Sequence, residues 1–284
     1  MPDSGSDGSR PPASDGKPAP LSGQTGPLPV SDSLARVELL VGARALGRLA
    51  TARVILFGAG GVGSFCAEAL IRSGLGHLTL VDPDRVAESN LNRQAQALTT
   101  TIGELKAEAL RVRLLAIRPE AEVLVLPRLY NLESRDSFEL TSYDYVLDAI
   151  DSLSNKVGLI QHASELGCRV FTSMGASQKL DPSRVKVGSI WKSERDPLAR
   201  FVRKRLRRRG FHGEVTCVYS DEAPRELQPS ARLRPDSPLG PEEPGQDEEA
   251  AEDLSACARP VFGRQVNGSL MQVTATFGLF LASL

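Results

Sequence analysis

This chain has few cysteines, four in all, and no closely spaced pair of the kind that marks a zinc site or a redox dithiol. Cys66, Cys168, Cys217 and Cys257 are scattered, with no C-x-x-C pair among them. That absence argues against a zinc site and a redox dithiol, so no zinc is expected, and it fits a reducing cytoplasm. The first residues lack the apolar stretch that a secretory signal requires. Long hydrophobic runs are missing too. Residues 270–284 are mostly apolar but short for a bilayer, which predicts a core or interface helix and argues against membrane association. Nor is there an excess of one charge: the formal net charge is -1, so no general attraction to nucleic acid is expected. No internal repeat is visible.

What remains suits one globular unit preceded by a tail. Residues 1–32 carry repeated Ser, Gly and Pro with few large apolar groups, too little to offset the entropy of ordering, and a disordered tail is expected there. A helical hairpin should follow, with Leu34, Val37, Leu40 and Val41 on one face and Leu46 and Leu49 beyond Gly42. Strands are expected at 54–57, His77–Val81, Glu122–Leu126, 145–147 and 169–172, alternating with helices at 62–73, 103–117 and 153–166. This alternation predicts an α/β fold, a Rossmann-like and mostly parallel sheet with helices on both faces. Residues 185–190 and 215–219 should extend it as antiparallel strands, with a basic helix at 197–209 between them. The globular domain would span 33–284 and carry a low-complexity acidic insertion at about 222–256.

Gly58-Ala59-Gly60-Gly61-Val62-Gly63 follows a strand and opens a helix. In that context glycines let the backbone approach phosphates, and the helix N-terminus favours negative charge. Asp82, ending the next strand, can accept hydrogen bonds from ribose hydroxyls. These features serve ATP and a nicotinamide dinucleotide equally. Asn90 and Arg93, in Ser89-Asn90-Leu91-Asn92-Arg93-Gln94, separate the two. A guanidinium can neutralise a triphosphate by paired hydrogen bonds, and an amide can orient one of its oxygens. Lys106 adds a point charge at the next helix. Asp148-Ala149-Ile150-Asp151 ends the fourth strand, at the sheet edge where such folds bind ligands. There Asp151 suits a magnesium ion bridging phosphates, or the N-cap of the following helix. The candidate catalytic groups are thus Arg93, Lys106 and Asp151; Gly58, Gly60, Gly61, Gly63, Asp82 and Asn90 complete the nucleotide site.

In order and spacing these residues resemble the ubiquitin-activating-enzyme superfamily, with its bacterial ThiF and MoeB adenylating enzymes of thiamine and molybdopterin synthesis. The resemblance covers about 34–284. It implies ATP and magnesium as cofactors and a homodimer in which Arg36, within Arg36-Val37-Glu38-Leu39-Leu40-Val41-Gly42, reaches the partner subunit's nucleotide site. Ser173-Met174-Gly175-Ala176, Leu180-Asp181-Pro182, Asp196-Pro197-Leu198-Ala199, Val218-Tyr219-Ser220 and Val273-Thr274-Ala275-Thr276-Phe277-Gly278 are similar to the tRNA threonylcarbamoyladenosine dehydratases. That branch implies adenylation of the threonylcarbamoyl carboxylate in tRNA and its closure into a ring, with release of AMP and pyrophosphate. A cysteine-desulfurase sulfur-transfer protein is a further partner to consider, with Cys217 or Cys257 as sulfur acceptor.

Arg200, Arg203, Lys204, Arg205, Arg207, Arg208 and Arg209 form a basic block suited to RNA phosphates. Phe201 and Phe211 are the aromatic residues near it in sequence, so phosphate contact is favoured over base stacking. The nearest rival is an adenylyltransferase activating the C-terminal glycine of a ubiquitin-like sulfur carrier. It shares every phosphate-site residue, but its typical zinc cysteines are absent. A nicotinamide-dependent dehydrogenase would leave Arg93 and Lys106 without a role, and a silent scaffold would not need Arg36, Arg93, Lys106 and Asp151.

Overall fold

The structure is a computed structural model that describes residues 32–226 and 268–284. The expected tail and most of the expected acidic insertion lie outside the described residues.

Short, mostly apolar runs form the strands β1 (Arg53–Phe57), β2 (His77–Val81), β3 (Glu122–Leu126), β4 (Tyr145–Asp148) and β5 (Val170–Ser173). Two more follow, β6 (Val185–Ser189) and β7 (Thr216–Ser220), and the sheet order is β3-β2-β1-β4-β5-β7-β6. All neighbours pair in parallel except β6, which runs antiparallel to β7. The expectation of antiparallel extension strands is therefore corrected to one strand. The chain between β5 and β7 is long enough for a crossover, so β7 can enter beside β5 in the same direction.

The helices are α1 (Ala35–Val41), α2 (Ala43–Thr51), α3 (Gly63–Arg72), α4 (Lys106–Ile117), α5 (Leu153–Glu165), α6 (Pro197–Arg208) and α7 (Met271–Ala282). Alternation along β1 explains the two layers they form. Val54 and Leu56 pack into a core with residues of α3, α4 and α7, whereas Ile55 and Phe57 face a second core with α5 and α6. The helix expected at 103–117 starts only at Lys106, because Glu104 and Gly103 exchange backbone hydrogen bonds with Val86 instead.

The expected helical hairpin is α1 and α2, flanking Gly42, and one other expectation needs correction. Leu34 and Leu46 are buried, but Leu40 is 87% and Val41 42% exposed, so the apolar face of α1 is not covered by the described chain. Glu222, assigned by sequence to the insertion, is buried and its carboxylate accepts the N–H groups of Leu180 and Asp181. Next to it the Arg225 N–H donates to the Gln178 carbonyl, while the Gln178 N–H donates to the Gly268 carbonyl. The chain thus leaves and re-enters the described domain at one residue. The expected core or interface helix is α7, with Val273, Phe277 and Leu281 buried and Leu279 and Phe280 exposed. Among the described residues no helix is long and apolar enough to cross a membrane.

Candidate nucleotide site

The site forms where the strand order reverses, between the carboxyl ends of β1 and β4. Two glycines are required there by close approach. A Cβ on Gly58, whose φ is 93°, would lie 2.7 Å from the Ala149 carbonyl oxygen, and one on Gly63 would lie 1.8 Å from that of Gly58. The Gly58 N–H donates to Val81 and the Ala149 N–H to Phe57, which ties the turn to β2 and β4. Among the described residues no backbone acceptor meets the N–H groups of Gly60, Gly61, Val62 and Gly63. Successive free N–H groups at the start of α3 make an anion-binding concavity.

Asp82 is buried and serves the turn itself. Its Oδ2 accepts the Ala59 N–H at 2.6 Å and its Oδ1 the Asp84 N–H at 2.9 Å. Burial raises its pKa, with the nearby Lys106 charge and these N–H groups opposing the rise. In the fold Asp82 thus holds the glycine turn against β2. Asn90 is likewise buried, and its Oδ1 accepts the Ala87 N–H at 3.1 Å, so part of the amide shapes its own loop. The Arg93 side chain lies along the turn, its Cγ 3.3 Å from where a Gly61 Cβ would be, with Thr274 of α7 opposite at 3.2 Å. Its guanidinium donates to the Ser89 carbonyl at 2.7 Å and to Asn92 Oδ1 at 3.0 Å.

Lys106 is not a solvated surface group. It is 8% exposed, and its Nζ donates to Asp84 Oδ2 at 2.6 Å. The two acids at the end of β4 have separate fates. Asp148 is fully buried, bonded to Lys156 Nζ at 2.6 Å, to Thr172 Oγ1 at 2.5 Å and to the Ile150 N–H at 2.9 Å. Asp151 is exposed at the loop that packs on Gly58, and Ser152 rather than Asp151 occupies the N-cap position of α5. Among the described residues no group of three or more His, Cys, Asp or Glu is placed to hold a metal. Arg36 is exposed on α1, which packs mainly on α2, and the single chain does not place it at the turn.

Sequence reasoning missed Asp84, Gln96 and Lys156. Lys156 had a signal, since it sits on the apolar stripe of α5 between Leu153, Val157 and Ile160, where a lysine needs a buried partner. Asp84 and Gln96 carried no pattern of their own.

The N-terminus of α6 is anchored beyond β5, where its N-cap Asp196 also accepts the Gly175 N–H at 3.1 Å. The structure divides that block. Arg203 donates to Ile190 and Ser193, and Arg205 is buried with a 2.7 Å hydrogen bond to Ser154, so both belong to the packing. Arg200, Lys204, Arg207 and Arg208 are exposed at helical spacing on one face. The expectation about aromatics is corrected as well: Trp191 stacks on Phe211 at 6.5 Å between centroids, and the Arg207 guanidinium lies 5.3 Å from the Trp191 ring centre. Cys217 is buried, with its thiol pushed up to about 12 by burial, which disfavours the thiolate that a sulfur acceptor needs. Cys257 lies outside the described residues.

A doubly wound sheet with an open glycine turn, an arginine and a buried lysine at its switch point defines a nucleotide-binding α/β protein. The chain belongs to the ThiF family, whose profile matches residues 32–274. It is 40% identical over 197 residues to the tRNA threonylcarbamoyladenosine dehydratase of Bacillus subtilis, covering 69% of this chain and 78% of that protein. It also resembles the solved structure of the E. coli tRNA N6-threonylcarbamoyladenosine dehydratase, TcdA, in complex with AMP: TM-score 0.73, 31% identity, 90% of this chain and 94% of that one. The complex of the E. coli protein with ATP gives a TM-score of 0.72 at 31% identity over the same shares.

Proposed function

We propose that this chain is an ATP-dependent tRNA threonylcarbamoyladenosine dehydratase of the cytoplasm. One observation carries the reading: four N–H groups with no backbone acceptor among the described residues lie beside Arg93, on a turn held by Asp82 on which the Lys106 charge acts, in a fold shared along nine-tenths of its length with a dehydratase solved with ATP and with AMP. The substrate carboxylate attacks the α-phosphate and pyrophosphate leaves. An atom of the modified base then attacks the activated carbonyl carbon, and AMP departs as the ring closes. No protein nucleophile takes part, so catalysis is positioning and charge stabilisation by the turn, Arg93 and Lys106, with proximity assisting ring closure.

The donor set fits magnesium of the kind held by one carboxylate and the phosphates, with Asp151 as its ligand, rather than an all-protein cage. Such an ion supplies charge neutralisation at the phosphates. We also propose a homodimer in which the exposed α1 carries Arg36 to the partner's turn, burying Leu39 and Leu40, which are 88% and 87% exposed in one chain. Among the described thiols none supports sulfur relay, since burial raises the pKa of Cys66, Cys168 and Cys217 alike.

Incubating the protein with ATP, magnesium and tRNA bearing threonylcarbamoyladenosine should remove one water from that nucleoside, as read by mass spectrometry. An unchanged nucleoside with folded protein would refute the reading. Pyrophosphate exchange that required a ubiquitin-like carrier and ignored tRNA would instead favour the sulfur-carrier enzyme. For the RNA face, replacing Arg200, Lys204, Arg207 and Arg208 by serine should weaken tRNA binding and lower the slope of log affinity against log salt by about three, for loss of about four phosphate contacts. An unchanged slope would return this face to ordinary solvent exposure.

A further inference from the structure

Resting on the reading of the glycine turn as an ATP phosphate site, we propose that Gln96 is a positioning residue that aims the turn's first free N–H at the phosphates. The argument starts from the peptide between Ala59 and Gly60. On one side Asp82 accepts the Ala59 N–H at 2.6 Å. On the other, Gln96 Nε2 donates to the Ala59 carbonyl at 2.7 Å, so Ala59 is held at both of its backbone polar groups. In a trans peptide the carbonyl and the following N–H point in opposite directions. Pinning the Ala59 carbonyl toward Gln96 therefore turns the Gly60 N–H the other way, and that N–H meets no backbone acceptor among the described residues.

Gln96 is poorly suited to a mere packing role. It is 2% exposed, and its Oε1 is buried without a hydrogen-bond partner among the described residues. Leaving a buried acceptor unpaired is costly, and an apolar side chain of similar size would avoid that cost. The amide cannot be turned over to relieve it, because Oε1 would then face the Ala59 oxygen across the same 2.7 Å. The second contact of Nε2, to Gln94 Oε1 at 3.2 Å, favours the same orientation. Gln94 in turn lies against the turn, its Nε2 4.0 Å from where a Gly60 Cβ would sit. Two glutamines thus back the turn from the protein side, and Gln96 alone bonds to it.

The test compares wild type with Gln96→Leu and Gln96→Glu, measuring ATP and adenosine affinity by calorimetry and folding by thermal melting. A carboxylate keeps the shape of the amide but has no N–H, so both variants lose the bond to Ala59 when the measurements are made at about pH 9, where the introduced acid is ionised. The expected result is folded protein with the ATP dissociation constant raised about tenfold, while that of adenosine, which has no phosphate, changes less than about twofold. A purely structural role would move both ligands together or neither. ATP binding within about twofold of wild type in a folded variant would overturn the proposal, as would equal weakening of the two ligands. Failure of both variants to fold would also overturn it, by making Gln96 a core residue. Failure of the wild-type protein to bind ATP would sink the underlying phosphate-site reading instead, so the two outcomes are distinguishable.

Discussion

Replacing Lys106 by alanine is expected to lower adenylation at least about a hundredfold, the scale seen when one preorganised charge-stabilising donor is removed. Lys106 is the first residue of α4, and its charge acts on Asp82 while its Nζ bonds to Asp84. It therefore stands within the group of residues that holds the glycine turn. A lysine read as a surface residue could be removed without cost to stability, but this one is 8% exposed. The same change should cost about 1–2 kcal/mol of stability, because Asp84 loses its cation and a mostly buried side chain is truncated. ATP–pyrophosphate exchange and thermal melting separate the two effects. A folded variant with wild-type exchange would remove Lys106 from the reaction. If Arg36 serves the partner's site, mixing Lys106→Ala chains with Arg36→Ala chains should restore about a quarter of the activity, since half the dimers are mixed and each has one intact site. Two inactive preparations that stay inactive on mixing would place Arg36 outside the partner's site.

Lys156→Met should be the most destabilising of the substitutions considered, by about 3–5 kcal/mol, because it strands the Asp148 carboxylate in a dry interior. Both side chains are fully buried, and Lys156 also donates to the Ser173 carbonyl at 2.9 Å and to Thr172 at 3.3 Å. The pair joins the ends of β4 and β5 to α5, beneath the loop that carries Asp151. Adding Asp148→Asn should recover more than half of the loss, since an amide can still accept the Ile150 N–H and donate to Thr172 Oγ1 without a charge. Urea denaturation of the three proteins measures both effects. A loss below about 1 kcal/mol for Lys156→Met would mean that the carboxylate finds another partner or takes up a proton.

How much of this was legible in the chain follows from the range of the forces involved. β2 and β3 match their expected limits, because each is a short apolar run bounded by residues that stop it. Residues 103–105 were misread as helix because their competing bonds to Val86 come from a loop distant in sequence. Among site residues, the glycine turn and Arg93 were visible through local context, and the structure puts them in contact at Gly61. The basic block could be counted but not divided, since a one-letter string does not show that Arg205 reaches Ser154 while Arg200 stays outside.

By itself, then, the sequence determined the alternation of strands and helices, the glycine turn between β1 and α3, and the presence of cations suited to phosphates. These follow from hydrophobic periodicity and backbone sterics, which act over a few residues. Tertiary structure alone decided that Asp148 is locked to Lys156 and Asp151 is exposed, that Lys106 is buried against Asp84, and that Ala59 is held between Asp82 and Gln96. Burial sets the cost of each charge and of each unpaired polar atom, and burial depends on which distant segments close over a residue.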